Sequence, residues 1–358
     1  MADIEFANRR IGPDHPTYFV ADISANHDGQ LGRAKQLIRL AAEAGADSAK
    51  FQNFRAAKIV SDRGFRNLGA QVSHQAKWDK SVSEVYEAAS LPWEWTPALK
   101  AECDAVGIDY FSAPYDLDAV DMLDPHMALY KIGSGDITWL EIIRKIASKG
   151  KPVLLATGAS DIGDVQRAVG AIRELNSQLV LMQCNTNYTA EPDNLRHIHL
   201  NVLKSYAAMF PGVVLGLSDH TPGHATVLGA VALGARVIEK HFTDDNARKG
   251  PDHPFSMNPK TWRDMVDRTR ELESALGRSE KSVAENESET VVIQRRALRV
   301  SRDLKAGAVL AKDDVVALRP APRDGIFPFD LDRVLGMKLR KDLPLGEELR
   351  WTDLEKMP

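Results

Sequence analysis

The chain lacks most of the features that would assign it to a class at once. It has two cysteines, Cys103 and Cys184, in 358 residues. Both stand in or beside apolar runs, so two buried thiols and a reducing compartment are expected rather than a disulfide framework. No stretch approaches the ~20 apolar residues of a membrane span. The opening Met1-Ala2-Asp3-Ile4-Glu5 has no charged segment followed by an apolar run. A cytoplasmic protein that stays out of the membrane is therefore expected. No charge of one sign dominates: 46 Lys and Arg against 50 Asp and Glu leave a formal net charge of −4. Such a balance offers no general attraction for nucleic acid or an anionic membrane surface. Finally, no Gly-x-Gly-x-x-Gly opens a helix, which removes the usual support for a dinucleotide site.

What the chain has is alternation. Apolar, strand-like runs at 18–23, 47–52, 108–112, 128–132, 152–156, 178–183, 213–217 and 235–238 are separated by helical patterns. One such helix is predicted from Leu31 to Ala44, with apolar residues three and four apart and Gly45 as its stop. Eight strand–helix repeats in about 260 residues predict an α/β fold, a (β/α)8 TIM barrel, with a doubly wound open sheet as the alternative. A polar excursion from Arg55 to about Ser81 has little periodicity, and loops of that length are functional or disordered. After the helix that ends at Leu276, the charged stretch Gly277 to Glu289 reads as a linker. Short runs beyond residue 296, separated by Gly, Pro and Asp, predict a small β-rich domain. The expected boundaries are 1–277 for the barrel, 278–296 for the linker and 297–358 for the small domain.

Polar candidates gather at the C-terminal ends of these strands, where barrel enzymes keep their chemistry. Asp22 follows the first strand, and Lys50 and Gln52 end the second. Lys131, Ser134 and Asp136 follow the fourth, Thr157 the fifth, and Asn185, Thr186 and Tyr188 the sixth. His220 and His241 follow the seventh and eighth. Parallel strands bring these two to the same end of the sheet, where neutral imidazoles can hold a divalent metal or simply hydrogen-bond to neighbours. Lys131-Ile132-Gly133-Ser134-Gly135-Asp136 reads as an anion cradle or as a tight turn; its glycines let backbone N–H groups approach a phosphate or carboxylate. Lys50 suits a point charge for phosphate, with a Schiff-base lysine as the alternative. Asp252, in Pro251-Asp252-His253-Pro254, suits a base, a partner of the metal's ligands or an acceptor for sugar hydroxyls, and His253 suits a turn.

Taken together, these motifs resemble the sialic acid synthase family, the phosphoenolpyruvate-dependent nonulosonic acid synthases. The match runs through Ala21-Asp22-Ile23-Ser24-Ala25-Asn26-His27-Asp28-Gly29, Ala44–Gln52, Lys131–Asp136, Ala156-Thr157-Gly158, Ser218-Asp219-His220-Thr221, Glu239-Lys240-His241-Phe242-Thr243 and Gly250-Pro251-Asp252-His253. Arg319-Pro320 and Asp324-Gly325-Ile326 are similar to a turn of the family's small domain. The resemblance implies a barrel followed by an antifreeze-like (SAF, β-clip) domain. It also implies condensation of phosphoenolpyruvate with an open-chain N-acylamino-hexose and water. By the same resemblance, Mn or Mg would be held by His220 and His241, and Lys50, Lys131 and Ser134 would hold the phosphate and carboxylate. Asp22, Asp136 and Asp252 would handle water, protons and sugar hydroxyls. A domain-swapped homodimer would offer Arg319, or nearby Arg323, to the acceptor's N-acyl group.

The chain also departs from that pattern. Asp22 and Asp136 stand where the family usually has Glu, each shorter by one methylene. Ala113 and Ala156 replace hydroxyl residues, Cys184-Asn185-Thr186-Asn187-Tyr188-Thr189 differs from the usual Cys-Thr-x-x-Tyr-Pro, and Arg319-Pro320-Ala321-Pro322-Arg323 is longer than the usual turn. The departures fall on the sugar side, so a changed acceptor is expected. Two rival readings are a Schiff-base pyruvate aldolase and an idle barrel serving as a glycan-binding module.

Overall fold

Eight runs rich in aliphatic and aromatic residues form one parallel sheet in the computed structural model, which describes residues 3–6, 9–68, 75, 78–189 and 191–356. Two short strands precede it, β1 (Ile4–Phe6) and β2 (Arg9–Ile11), paired antiparallel. The sheet comprises β3 (Tyr18–Asp22), β4 (Ser48–Asn53), β5 (Asp109–Pro114), β6 (Tyr130–Ile132), β7 (Val153–Ala156), β8 (Leu179–Cys184), β9 (Val214–Asp219) and β10 (Ala235–His241). The ladder runs β5-β4-β3-β10-β9-β8-β7-β6. Its end strands β5 and β6 lie side by side, so the barrel is nearly closed. At that seam the Ser112 N–H reaches the Met127 thioether sulfur, 3.1 Å away, where a strand carbonyl would otherwise accept.

Every residue of β3, β7, β8 and β9 is buried. This is the signature of parallel strands with helices outside and packed side chains inside, and it explains why they read as apolar runs rather than as alternating ones. The helix Leu31–Glu43 seats Ala34, Leu37, Ile38 and Ala41 on the sheet, at spacings of three and four. Gly45, at φ +94°, takes the left-handed turn that leads into β4. Asn258 caps the long helix Pro259–Leu276 by accepting the Thr261 N–H, with Pro259 at the first helical position.

Two differences from expectation have simple causes. The β1–β2 pair was not anticipated, because strands of three residues carry too little pattern. Strands β9 and β10 run on to Asp219 and His241, past the ends of their apolar runs. Parallel pairing of Lys240 with Asp219 and of His241 with Asp22 continues through backbone groups that are indifferent to side-chain polarity.

The chain divides into two compact units after Gly277. In the second, β11 (Ala297–Val300) pairs with β12 (Val315–Leu318), and β13 (Lys338–Leu339) with β14 (Leu354–Glu355), both antiparallel. Its core holds Leu298, Val300, Leu304, Leu310, Ile326 and Val334. Within 278–296 lie two short helical turns, Glu285–Glu287 and Thr290–Ile293, and the Val292 carbonyl accepts the Ala321 N–H. The two cores share no residue. A chain ending at Gly277 is therefore expected to unfold in one cooperative transition, followed by circular dichroism in urea. A gradual, non-cooperative melt would contradict this.

Candidate active site

The strand period of two decides which polar side chains meet. At the end of β10, Glu239 and His241 share one face and Lys240 takes the other. At the end of β9, Ser218 and His220 share the inner face and Asp219 the outer. The outer pair, Lys240 and Asp219, forms a fully buried ion pair behind the barrel wall, with Thr221 and Thr226 donating to the carboxylate. The inner residues line a cavity of about 400 Å³.

Its floor is a buried charge cluster. Lys50 Nζ lies 2.7 Å from Asp22 Oδ2 and 3.1 Å from Glu239 Oε1, and Lys131 Nζ lies 3.4 Å from that same glutamate oxygen. Gln52 Nε2 donates to Asp22 Oδ2, and Ser218 Oγ to Glu239 Oε1. Burial opposes the charge on Lys50, but Asp22 and Glu239 together raise its pKa above the ordinary lysine value. Lys131 has one shared carboxylate and Lys50 as a neighbour, so burial prevails and lowers its pKa. Burial likewise opposes the charge on Glu239, yet Lys131 and then Lys50 bring its carboxyl down to about 2. Glu239 Oε2 has no hydrogen-bond partner among the described residues.

The histidines form the opposite side. His220 Nδ1 donates to the Asn185 carbonyl at 2.9 Å, which fixes its tautomer and frees Nε2. Burial, and then the neighbouring His241, push its pKa down to about 3, so the ring is neutral. The two imidazole centroids are 5.3 Å apart. His241 Nε2 stands 3.4 Å from Asp22 Oδ2. Its Nδ1 stands 3.7 Å from Asp252 Oδ2 and has no hydrogen-bond partner among the described residues. Two buried imidazoles, one neutral and oriented by a carbonyl and one with an orphaned ring nitrogen, fit a divalent ion. No group of three or more His, Cys, Asp or Glu is arranged to hold a metal among the described residues. The pair would thus supply two ligands and leave the other positions to water or substrate.

The remaining expected residues divide. Ser134, Asp136, Tyr188 and Asp252 line the cavity. Ser134 Oγ accepts the Gly158 N–H at 2.9 Å. A side chain at Gly158 would collide with Thr186 and Ser134, so glycine permits that approach. Burial lifts Asp136 to about 6 against the pull of Lys131. Asp252 accepts from Ser24 Oγ and the Ala25 N–H. Tyr188 packs on His220, ring centroids 4.3 Å apart. Thr157 is not brought into the cavity: its hydroxyl donates to the Met182 carbonyl and accepts from Tyr206. Asn185 acts through its backbone, its side chain donating to the His197 carbonyl. Thr186 packs beside Gly158. Arg319 and Arg323 belong to the second unit, where both are exposed. His253 is no mere turn residue. It is fully buried, bonded to Thr243 Oγ1 and Asp28 Oδ1, and ties the loops after β3 and β10 together next to Asp252.

A model of the NeuB family matches residues 37–281, and one of the SAF domain matches 295–355. The chain belongs to the NeuB family. The N,N'-diacetyllegionaminic acid synthase of Legionella pneumophila is 32% identical over 98% of this chain and 99% of its own. The pseudaminic acid synthase of Campylobacter jejuni is 32% identical over 95% and 97%. The solved structure of the Bacillus subtilis spore coat polysaccharide biosynthesis protein SpsE is 31% identical over the whole of both chains, with a TM-score of 0.65. This NeuB-family enzyme is a phosphoenolpyruvate-dependent nonulosonic acid synthase, a barrel followed by a SAF domain. Among the described residues no helix is long and apolar enough to cross a membrane. Glu239 is the site residue that reasoning from sequence missed. Its signal was present: it lies two residues before His241, on the same strand face.

Proposed function

We propose that the synthase joins phosphoenolpyruvate to an open-chain N-acylamino aldose, with water, giving a 2-keto-3-deoxy nonulosonic acid and phosphate. The observation that carries this is one cavity with a two-lysine floor facing a pair of buried histidines. The anionic groups of phosphoenolpyruvate suit the lysines, and the aldehyde suits the histidine side. C3 of phosphoenolpyruvate bonds to the aldehyde carbon, whose oxygen takes up a proton. Water bonds to C2 and loses a proton, and phosphate then leaves as the C2–O bond breaks.

Lys50, Lys131 and Ser134 bind and orient the phosphate and carboxylate. Asp22, tied to Lys50 and Gln52, is an acceptor of fixed direction. Its shorter side chain still reaches both partners. Asp136 suits the proton of the attacking water, because burial leaves it less acidic than a free carboxyl. Asp252 and Tyr188 suit the acceptor's hydroxyls. Mn or Mg would be held by His220 and His241, and when bound it supplies Lewis-acid polarisation of the aldehyde oxygen. A domain-swapped homodimer that brings Arg319 or Arg323 to a neighbour's acceptor completes the proposal.

Two measurements test it. With solvent labelled by oxygen-18, released phosphate should carry no label, since water enters at carbon; labelled phosphate would mean P–O cleavage and overturn the scheme. The kcat/KM should fall below about pH 6, where Asp136 takes up its proton. Asp136→Asn should remove that limb and lower kcat roughly 10²–10⁴-fold. An unchanged limb in the variant would assign it to another group.

A further inference from the structure

We propose that Tyr115 is a further substrate-binding residue, its hydroxyl donating a hydrogen bond to the anionic end of phosphoenolpyruvate at the turn Lys131–Asp136. This rests on the condensation reading above and adds a contact to its anion site. Tyr115 lines the cavity together with Lys131, Gly133, Ser134 and Asp136.

The backbone is fixed on both sides of Tyr115. Strand β5 ends at Pro114, yet the Tyr115 N–H still donates to the Asn53 carbonyl at the end of β4, at 3.0 Å. One residue on, Asp116 caps the helix Leu117–Leu123 by accepting the Asp118 and Ala119 N–H groups, and it holds Arg55 through two further bonds. The Tyr115 ring packs edge-on against Phe54, centroids 6.0 Å apart. So held, the ring lays its hydroxyl end on Gly133. A Cβ added there would come within 2.9 Å of the hydroxyl oxygen and 3.4 Å of two ring carbons. Gly133 has φ −68° and ψ 153°, a conformation open to any residue. The approach of Tyr115, and not the shape of the turn, is what requires glycine here.

The hydroxyl brought to the turn makes no hydrogen bond among the described residues. Burial, and then Asp136, Asp22, Tyr86 and Glu239, raise its pKa well above the ordinary phenol value, so it keeps its proton and can donate. The lysine of the turn, Lys131, shares the Glu239 carboxylate with Lys50. An anion drawn to this lysine pair meets a phenol already aimed at the turn, and a hydrogen bond to a charged acceptor is stronger than one to a neutral acceptor. Phenylalanine would pack on Phe54 equally well, so packing alone does not account for a hydroxyl that only glycine can admit.

The test compares the full-length enzyme with Tyr115→Phe, which keeps the ring and removes the hydroxyl alone. In calorimetric titration with phosphoenolpyruvate, Mn present and no aldose added, the variant should bind about 10- to 100-fold more weakly, the scale of one hydrogen bond to a charged group. Its urea midpoint should match that of the wild type. Gly133→Ala, which pushes the hydroxyl off the turn, should also weaken phosphoenolpyruvate binding, and should cost less in the Tyr115→Phe background because the two changes act on one contact. Unchanged phosphoenolpyruvate affinity in Tyr115→Phe, or a loss of affinity that comes with a lowered urea midpoint, overturns the inference and leaves condensation in place. A wild-type enzyme that binds no phosphoenolpyruvate overturns the condensation reading itself.

Discussion

Alanine at His220 is expected to abolish metal-dependent turnover, lowering kcat by about 10³-fold or more, the scale on which an electrophilic group acts. The ring is neutral because burial and His241 depress its pKa, and it is oriented because the Asn185 carbonyl holds Nδ1. Removing it leaves His241 as the one imidazole ligand and should weaken Mn binding at least tenfold in calorimetric titration. The fold should survive, since the side chain lies at the cavity's edge rather than in the apolar core. A well-folded variant that keeps metal-dependent turnover would remove His220 from the role assigned to it.

Glu239→Ala should produce the largest loss of stability. Glu239 sits between two buried ammonium groups, with Lys50 at 3.1 Å and Lys131 at 3.4 Å. Deleting one partner of such a cluster leaves uncompensated buried charge, which costs about 3–5 kcal/mol. The urea midpoint should fall accordingly, and Lys131 should become easier to deprotonate. Glu239→Gln keeps an acceptor beside the lysines and should cost less. Millimolar inorganic phosphate should return part of the loss by binding the exposed cations. A change of under about 1 kcal/mol in Glu239→Ala would mean that the lysines are not held by this carboxylate.

The barrel was legible in the sequence because parallel strands buried on both faces appear as apolar runs, and all eight did. Much of the site was legible for a related reason. Asp22, Lys50, Lys131, His220 and His241 each break an apolar run at its C-terminal end, and the fold brings those ends together. Glu239 was harder to see, standing in a row of three polar residues that only the strand period sorts into two inward and one outward. Thr157 failed for the opposite reason: a polar residue at a strand end can turn its hydroxyl to a helix, here to Tyr206. The aromatic lining of the cavity, where Phe54 packs on Tyr86 and Tyr115, was hidden because it depends on tertiary packing. Phe54, Tyr86 and Tyr115 are far apart in the chain, and nothing local says that they meet. Lys50 was left open between point charge and imine-forming amine. Its two carboxylate partners hold it protonated, which favours the charge.

The most direct test of the condensation is coupled product analysis with phosphoenolpyruvate, Mn and an N-acylamino aldose. Phosphate and a nine-carbon 2-keto acid are expected in equal amounts, only when the aldose is present, and EDTA is expected to stop both. Phosphate release indifferent to the aldose, or borohydride trapping of pyruvate on Lys50 or Lys131 with turnover that survives EDTA, would contradict it.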